Sequence, residues 1–145
     1  SLIEEKEATI YYNELPTLKV IPFQIQQLFI NLIGNSLKYS KTNIKPIINI
    51  QHSIIDSEYI QINQKLTDTK YHQFIFEDNG IGFENKYSTK IFDLFNRLHT
   101  KEEYEGTGIG LAICKKIVEN HHGFIIAKGE LGIGSTFTIY LPLKD

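Results

Sequence analysis

Asn31, Asn35 and Lys38 stand four and three residues apart within the run QQLFINLIGNSLKYS at positions 26–40. On a helix rising about 1.5 Å per residue, those spacings stack the three side chains into one column about 10 Å long. Two amides and an ammonium on one face suit a metal–phosphate group. An amide oxygen can complete the shell of a hard divalent cation, and lysine is a point charge for phosphate. The plainer alternative is a solvated helix face, against which stands the weak helix propensity of asparagine.

Two further stretches have chemistry in them. Asp78-Asn79-Gly80-Ile81-Gly82 follows the hydrophobic run at 71–77 (YHQFIFE). A carboxylate fixed at a strand end can accept a hydrogen bond from an exocyclic amine such as adenine's. The two glycines would let a flat ligand approach the chain. An ordinary Asx turn is the alternative. The second stretch, Gly106-Thr107-Gly108-Ile109-Gly110-Leu111, opens a helical pattern. Its backbone N–H groups and the helix N-terminus behind them form an anion site. No Gly-Lys-Ser/Thr follows, so it is not a P-loop, and the charged KEEYE before it does not suit a dinucleotide fingerprint.

The elements that must position these groups follow from periodicity. Residues 8–13 and 18–21 read as short strands with Pro16 between them, and Pro22 sits where a helix tolerates proline. Ile25, Leu28, Phe29, Leu32, Ile33 and Leu37 recur at helical spacing, so 23–39 is expected to be an amphipathic helix. Strands are expected at 47–55, 71–77, 124–128 and 135–141, the last two as a hairpin. Short helices are expected at 88–96 and 111–121, with Gly123 as the stop signal of the latter. Residues 56–69 read as a polar excursion without assigned function. The order is α+β: a mixed sheet with helices on one face.

Taken in chain order, the features are N-x-x-x-N-x-x-K on a helix, D-x-G-x-G after a strand, I-F-x-x-F, G-T-G-I-G-L opening a helix, and G-x-G-S-T-F in a terminal hairpin. This series resembles the ATP-binding catalytic domain of sensor histidine kinases, within the superfamily that includes gyrase and the mismatch-repair and chaperone ATPases. The resemblance spans about residues 10–143. It implies a two-layer α/β sandwich of the Bergerat type, with a mixed, mostly antiparallel sheet covered on one face by helices. It further implies ATP and Mg²⁺ as cofactors. Asn35 would ligate the metal with Asn31 beside it, Lys38 would lie near phosphate and Tyr39 against the adenine. Asp78 would take the adenine amine, with Gly80 and Gly82 shaping the pocket. Phe92 and Phe95 match the family's phenylalanine box, with Phe95 and Arg97 toward the nucleotide and Arg97 near the phosphates. Residues 99–105 would form a lid. Gly106, Gly108 and Gly110 would hold the triphosphate, with Thr107, Ile109 and Leu111 in the same loop. Thr136 matches the last box, at the pocket floor.

One departure from the family pattern bears on the reaction. In ATP-hydrolysing members the residue four before the metal asparagine is typically a glutamate that activates water; here it is Asn31. A neutral amide cannot act as a general base near neutral pH. This fits transfer of the γ-phosphoryl to a protein histidine. No H-E-x-R/K-x-P-like acceptor box surrounds His52, His72, His99, His121 or His122. The implied partners are therefore a histidine-bearing dimerisation domain and, downstream, a response-regulator receiver domain. Two alternatives remain open at this point: a serine kinase of the anti-sigma-factor type, and a non-catalytic nucleotide-sensing module.

Composition agrees with one domain over 1–145, with 1–7 expected to be the tail of a linker. The chain has 145 residues, 41% hydrophobic and 22% charged, with net charge −2. No basic excess calls for nucleic acid, and no polybasic tract or long apolar run calls for membrane contact. The single cysteine, Cys114, cannot form an internal disulfide, so a reducing, cytoplasmic setting is expected.

Overall fold

The computed structural model describes residues 1–66, 68–94 and 110–144. Its centre is a five-stranded sheet in the order β1-β2-β3-β5-β4. The strands are β1 (Thr9–Tyr12), β2 (Ile47–Asp56), β3 (Lys70–Asp78), β4 (Phe124–Glu130) and β5 (Gly134–Pro142). β1 runs parallel to β2, and every other pairing is antiparallel. Besides a four-residue turn of helix, α1 (Leu2–Glu5), the long elements are α2 (Pro22–Lys38) and α3 (Gly110–Asn120).

Period-2 alternation on the strands and period-3.6 patterning on the helices meet at one apolar layer. Leu28 and Leu32 of α2, Cys114 and Val118 of α3, and Ile48, Phe74, Phe76, Phe137 and Ile139 of the sheet form the core, all almost completely excluded from solvent. Phe29 packs edge-on against Phe74 and Phe76, with ring centroids 5.9 and 5.0 Å apart. Cys114 is a buried packing residue, and burial pushes its thiol pKa up to about 12.

The segment at 56–69 has a structural role. Ile60, Ile62 and Leu66 fold against Tyr71, Tyr140, Phe124 and Ile55, a second small cluster on the sheet face away from α2 and α3. It covers one end of that face, where Phe124 stacks on Tyr140 at 4.7 Å.

Three local expectations are corrected. Residues 18–21 form no strand. Leu18 and Val20 still pack on the core, but the Ile21 N–H is taken by His121 Nε2 at 3.1 Å and not by a ladder partner. The helix expected at 88–96 is replaced, over its described part, by the 3₁₀ turn Lys90–Phe92, preceded by another at Asn85–Tyr87. Nine residues containing Ser88 and Thr89 are too short and too poor in propensity to nucleate a helix alone. At the end of α3 the left-handed residue is His122 (φ 63°), not Gly123. Gly123 N–H bonds to Val118 O (2.8 Å) and His122 N–H to Glu119 O (3.0 Å), the paired bonds of a Schellman cap.

Candidate functional site

Asp78 ends β3, in register with Ile48 of β2 and Ser135 of β5. It shares the parity of Phe74 and Phe76, so its carboxylate lies on the helix side of the sheet. Three elements hold it. Oδ1 accepts from the Gly80 amide at 2.9 Å and from the Ser135 amide at 3.2 Å. Oδ2 accepts from the Ser36 hydroxyl of α2 at 2.7 Å. Burial raises the Asp78 pKa, and the three hydrogen bonds work against that rise. Each carboxylate oxygen offers two lone-pair sites. Oδ1 is fully used within the protein, and among the described residues Oδ2 keeps one acceptor site.

The turn after Asp78 is fastened on two sides. Ile81 N–H donates to the carbonyl of Tyr39, the residue closing α2, at 3.0 Å. Gly132 N–H, in the β4–β5 turn, donates to Ile81 O at 2.8 Å. Gly82 has φ +67°, and a Cβ built there would lie 2.1 Å from Glu130 O. At Gly80 a Cβ would lie 2.6 Å from Tyr39 O. Both glycines are demanded by close backbone approach. Asn79 points elsewhere, pairing with the Ile47 amide and the Lys45 carbonyl.

The polar column of α2 divides in two. Asn35 is partly buried and Lys38 exposed, and neither makes a side-chain hydrogen bond or ion pair among the described residues. Asn31 is engaged: its Oδ1 accepts from Gln27 Nε2 (2.8 Å), and its Nδ2 donates to Gly110 O (3.4 Å). The amide thus links α2 to the first residue of α3, where Gly110 is exposed and Leu111 rests on the core. Phe92 is buried edge-on against Phe137 at 6.3 Å. Phe95, Arg97, Gly106, Thr107, Gly108, Ile109 and the segment 99–105, expected to be a lid, lie outside the described residues.

Thr136 is set apart from this group. It pairs with Glu77 and Lys128 and has the opposite parity to Phe137, so its side chain goes to the face away from the helices. Ser135 takes the place beside Asp78. Two residues that sequence reasoning missed are therefore Ser36 and Ser135. The signal for Ser36 was available: Leu28, Leu32 and Ser36 recur every four residues, placing a hydroxyl on the buried stripe, where it must find a partner.

At the other end of β3, a separate cleft of about 280 Å³ is lined by residues that include Leu18, Lys19, His72, His121 and Leu141. It contains none of the site residues expected from the sequence. Among the described residues no cluster of three His, Cys, Asp or Glu side chains is arranged to hold a metal. No described helix is long and apolar enough to cross a membrane.

Comparison with known proteins bears on the family and the fold. Residues 21–145 match the family described as "Histidine kinase-, DNA gyrase B-, and HSP90-like ATPase". Cyanobacterial phytochrome A of Nostoc sp. is 40% identical over 141 residues, covering 97% of this chain and 17% of that protein. Sensor histidine kinase RcsC of Escherichia coli is 30% identical over 148 residues, covering 98% of this chain and 14% of that one. The chain thus spans less than a fifth of these relatives. Among solved structures, full-length ShkA in complex with AMPPNP superposes with a TM-score of 0.71 at 24% identity, over 97% of this chain and 27% of that one.

Proposed function

The chain belongs to the histidine kinase-, DNA gyrase B- and HSP90-like ATPase family, and we propose that its site binds ATP·Mg²⁺ and donates the γ-phosphoryl group to a histidine on a separate dimerisation domain of a longer protein. A response-regulator receiver domain would then accept the group from that histidine. The supporting observation is the junction at Asp78. The end of α2, the Asp-x-Gly-x-Gly turn and the β4–β5 hairpin meet there through Ser36, Tyr39, Ile81, Gly132 and Ser135.

The residues suit the group. Among the described residues Asp78 has one Oδ2 acceptor site left for an exocyclic amine, beside a turn that Gly80 and Gly82 let pack directly against the Tyr39 and Glu130 carbonyls. Asn35 and Lys38 follow on the adjoining helix face, with no protein partner among the described residues to compete for them. Asn35 would hold the magnesium ion, Lys38 and Arg97 would lie at the phosphates, and the amides of residues 106–110 would receive the triphosphate. When bound, Mg²⁺ supplies charge neutralisation on the phosphate oxygens. The bound analogue in the full-length ShkA structure fits the same reading.

Asn31 bears on the acceptor. Its amide oxygen takes the Gln27 N–H and its amide nitrogen faces the Gly110 carbonyl. It has no basic site with which to draw a proton from water, so this position supplies no base for hydrolysis. An imidazole nitrogen needs none to attack: the N–P bond forms, the bond to the β–γ bridging oxygen breaks, ADP leaves, and the imidazolium proton passes to solvent.

The test is incubation of the full-length protein with γ-labelled ATP. Acid-labile, base-stable label on a histidine is expected. Acid-stable phosphoserine on a partner would replace this reading with that of a serine kinase, and nucleotide binding without any transfer would leave only a sensing module.

A further inference from the structure

We propose that Ser36 is a positioning residue for purine recognition: its hydroxyl holds the Asp78 carboxylate so that one Oδ2 acceptor site faces the exocyclic amine of adenine. This rests on the reading that Asp78 meets the adenine.

A buried hydroxyl inside a helix ordinarily bonds back to the carbonyl four residues earlier. Ser36, 5% exposed and in the last turn of α2, instead reaches Asp78 Oδ2 at 2.7 Å. It has one proton and commits it there. The carboxylate is consequently fixed from three directions: the turn through Gly80, the sheet through Ser135, and the helix layer through Ser36. The two backbone amides both act on Oδ1. They leave the carboxylate free to tilt about that oxygen, and the serine removes that freedom. With one Oδ2 site filled by Ser36, the remaining site accepts an N–H and repels a carbonyl oxygen. A 6-amino purine is thereby favoured over a 6-oxo purine.

The hydroxyl also favours the ionised carboxylate, the form that accepts two bonds on Oδ2. The charged group acting on Asp78 among the described residues is Glu77, its neighbour on β3; α2 contributes Ser36, the turn the Gly80 amide, and β5 the Ser135 amide.

The experiment is calorimetric titration of the whole chain and its Ser36→Ala and Ser36→Thr variants with ATP, GTP and purine-riboside triphosphate, which lacks the 6-amino group. For Ser36→Ala, ATP affinity is expected to fall about 2–13-fold, the equivalent of one net hydrogen bond. Affinity for the des-amino nucleotide is expected to stay unchanged, and the acid-side midpoint of the ATP affinity profile to move to higher pH. Ser36→Thr, which keeps the hydroxyl, should restore both the affinity ratio and the midpoint. A purely structural serine would change melting temperature without moving either. Wild-type ratio and midpoint in a folded Ser36→Ala protein would overturn the proposal while leaving the adenine site standing. A wild-type chain that binds ATP and its des-amino analogue equally would overturn both.

Discussion

The Ser135 amide donates to Asp78 Oδ1 at 3.2 Å, a bond between residues 57 apart in the chain. It joins the glycine-containing hairpin at 132–135 to the Asp-x-Gly-x-Gly turn, and it follows directly from the β3–β5 register, which sets Ser135 opposite Asp78. The carboxylate is thus a property of the sheet and not of a flexible loop. A carboxylate held this way would cost little to order on meeting a ligand.

Asp78→Asn tests the recognition role without dismantling the junction. The amide oxygen can keep the Gly80 and Ser135 bonds, while the side chain presents N–H where an acceptor is required. ATP affinity should fall about 10–150-fold, corresponding to about 1.5–3 kcal/mol for a charged hydrogen bond. Calorimetry gives the affinity and a thermal melt confirms the fold. Unchanged affinity would remove Asp78 from the nucleotide site.

Gly82→Ala should damage the fold as well as the site. The backbone at φ +67° costs an L-residue about 1–2 kcal/mol. The added methyl would also meet Glu130 O at 2.1 Å, so the β4–β5 hairpin must shift. A fall in melting temperature of more than about 4 °C is expected for a domain of this size. A wild-type melting curve would show that the turn does not approach the hairpin as described.

His122→Gly should stabilise. His122 occupies the left-handed position of the α3 cap at φ 63°, one that glycine fills without steric cost. Relief of that strain, less the entropy glycine adds to the unfolded chain, leaves a gain of about 0.5–1 kcal/mol. Urea unfolding would show it as a higher midpoint at unchanged slope.

The long elements were legible because their periods are unambiguous. α2 declares itself through Ile25, Leu28, Leu32 and Leu37, and β3 through His72, Phe74 and Phe76 at spacing two. The failures have local physical causes. Leu18 and Val20 look like strand residues since they are apolar at spacing two, yet they pack as a covering segment whose amide at Ile21 is claimed by a distant histidine. Thr136 matches the last box of the family pattern, but a motif does not state which residue of a strand faces the helices; the register sets Ser135 opposite Asp78 and Thr136 opposite Glu77. The cover over Tyr71 and Tyr140 was invisible because Ile60, Ile62 and Leu66 sit among polar residues without a regular period.

His52 and His72 yield a prediction about acid stability. His52 Nε2 and His72 Nδ1 lie 2.9 Å apart, a distance that needs one nitrogen to donate and the other to accept. Their rings neighbour Phe74, with centroids 4.9 and 6.3 Å away, and His72 is 8% exposed. Burial lowers both pKa values, and for His72 the nearby His52 lowers it further. A folded value below the unfolded 6.5 means that the unfolded chain binds more protons as pH falls. The pair's contribution is therefore fully present above pH 6.5 and is lost as pH drops from there through the lowered folded values. Asp78, whose pKa is raised, acts with the opposite sign: its contribution falls as pH rises from the unfolded carboxylate value through the raised one. Urea unfolding should thus show wild-type stability decreasing from about pH 7.5 to about pH 5.5. His72→Gln, which keeps a hydrogen-bonding partner for His52 but does not titrate, should flatten that decline. An equal slope in the variant would mean that His72 does not bear the acid sensitivity.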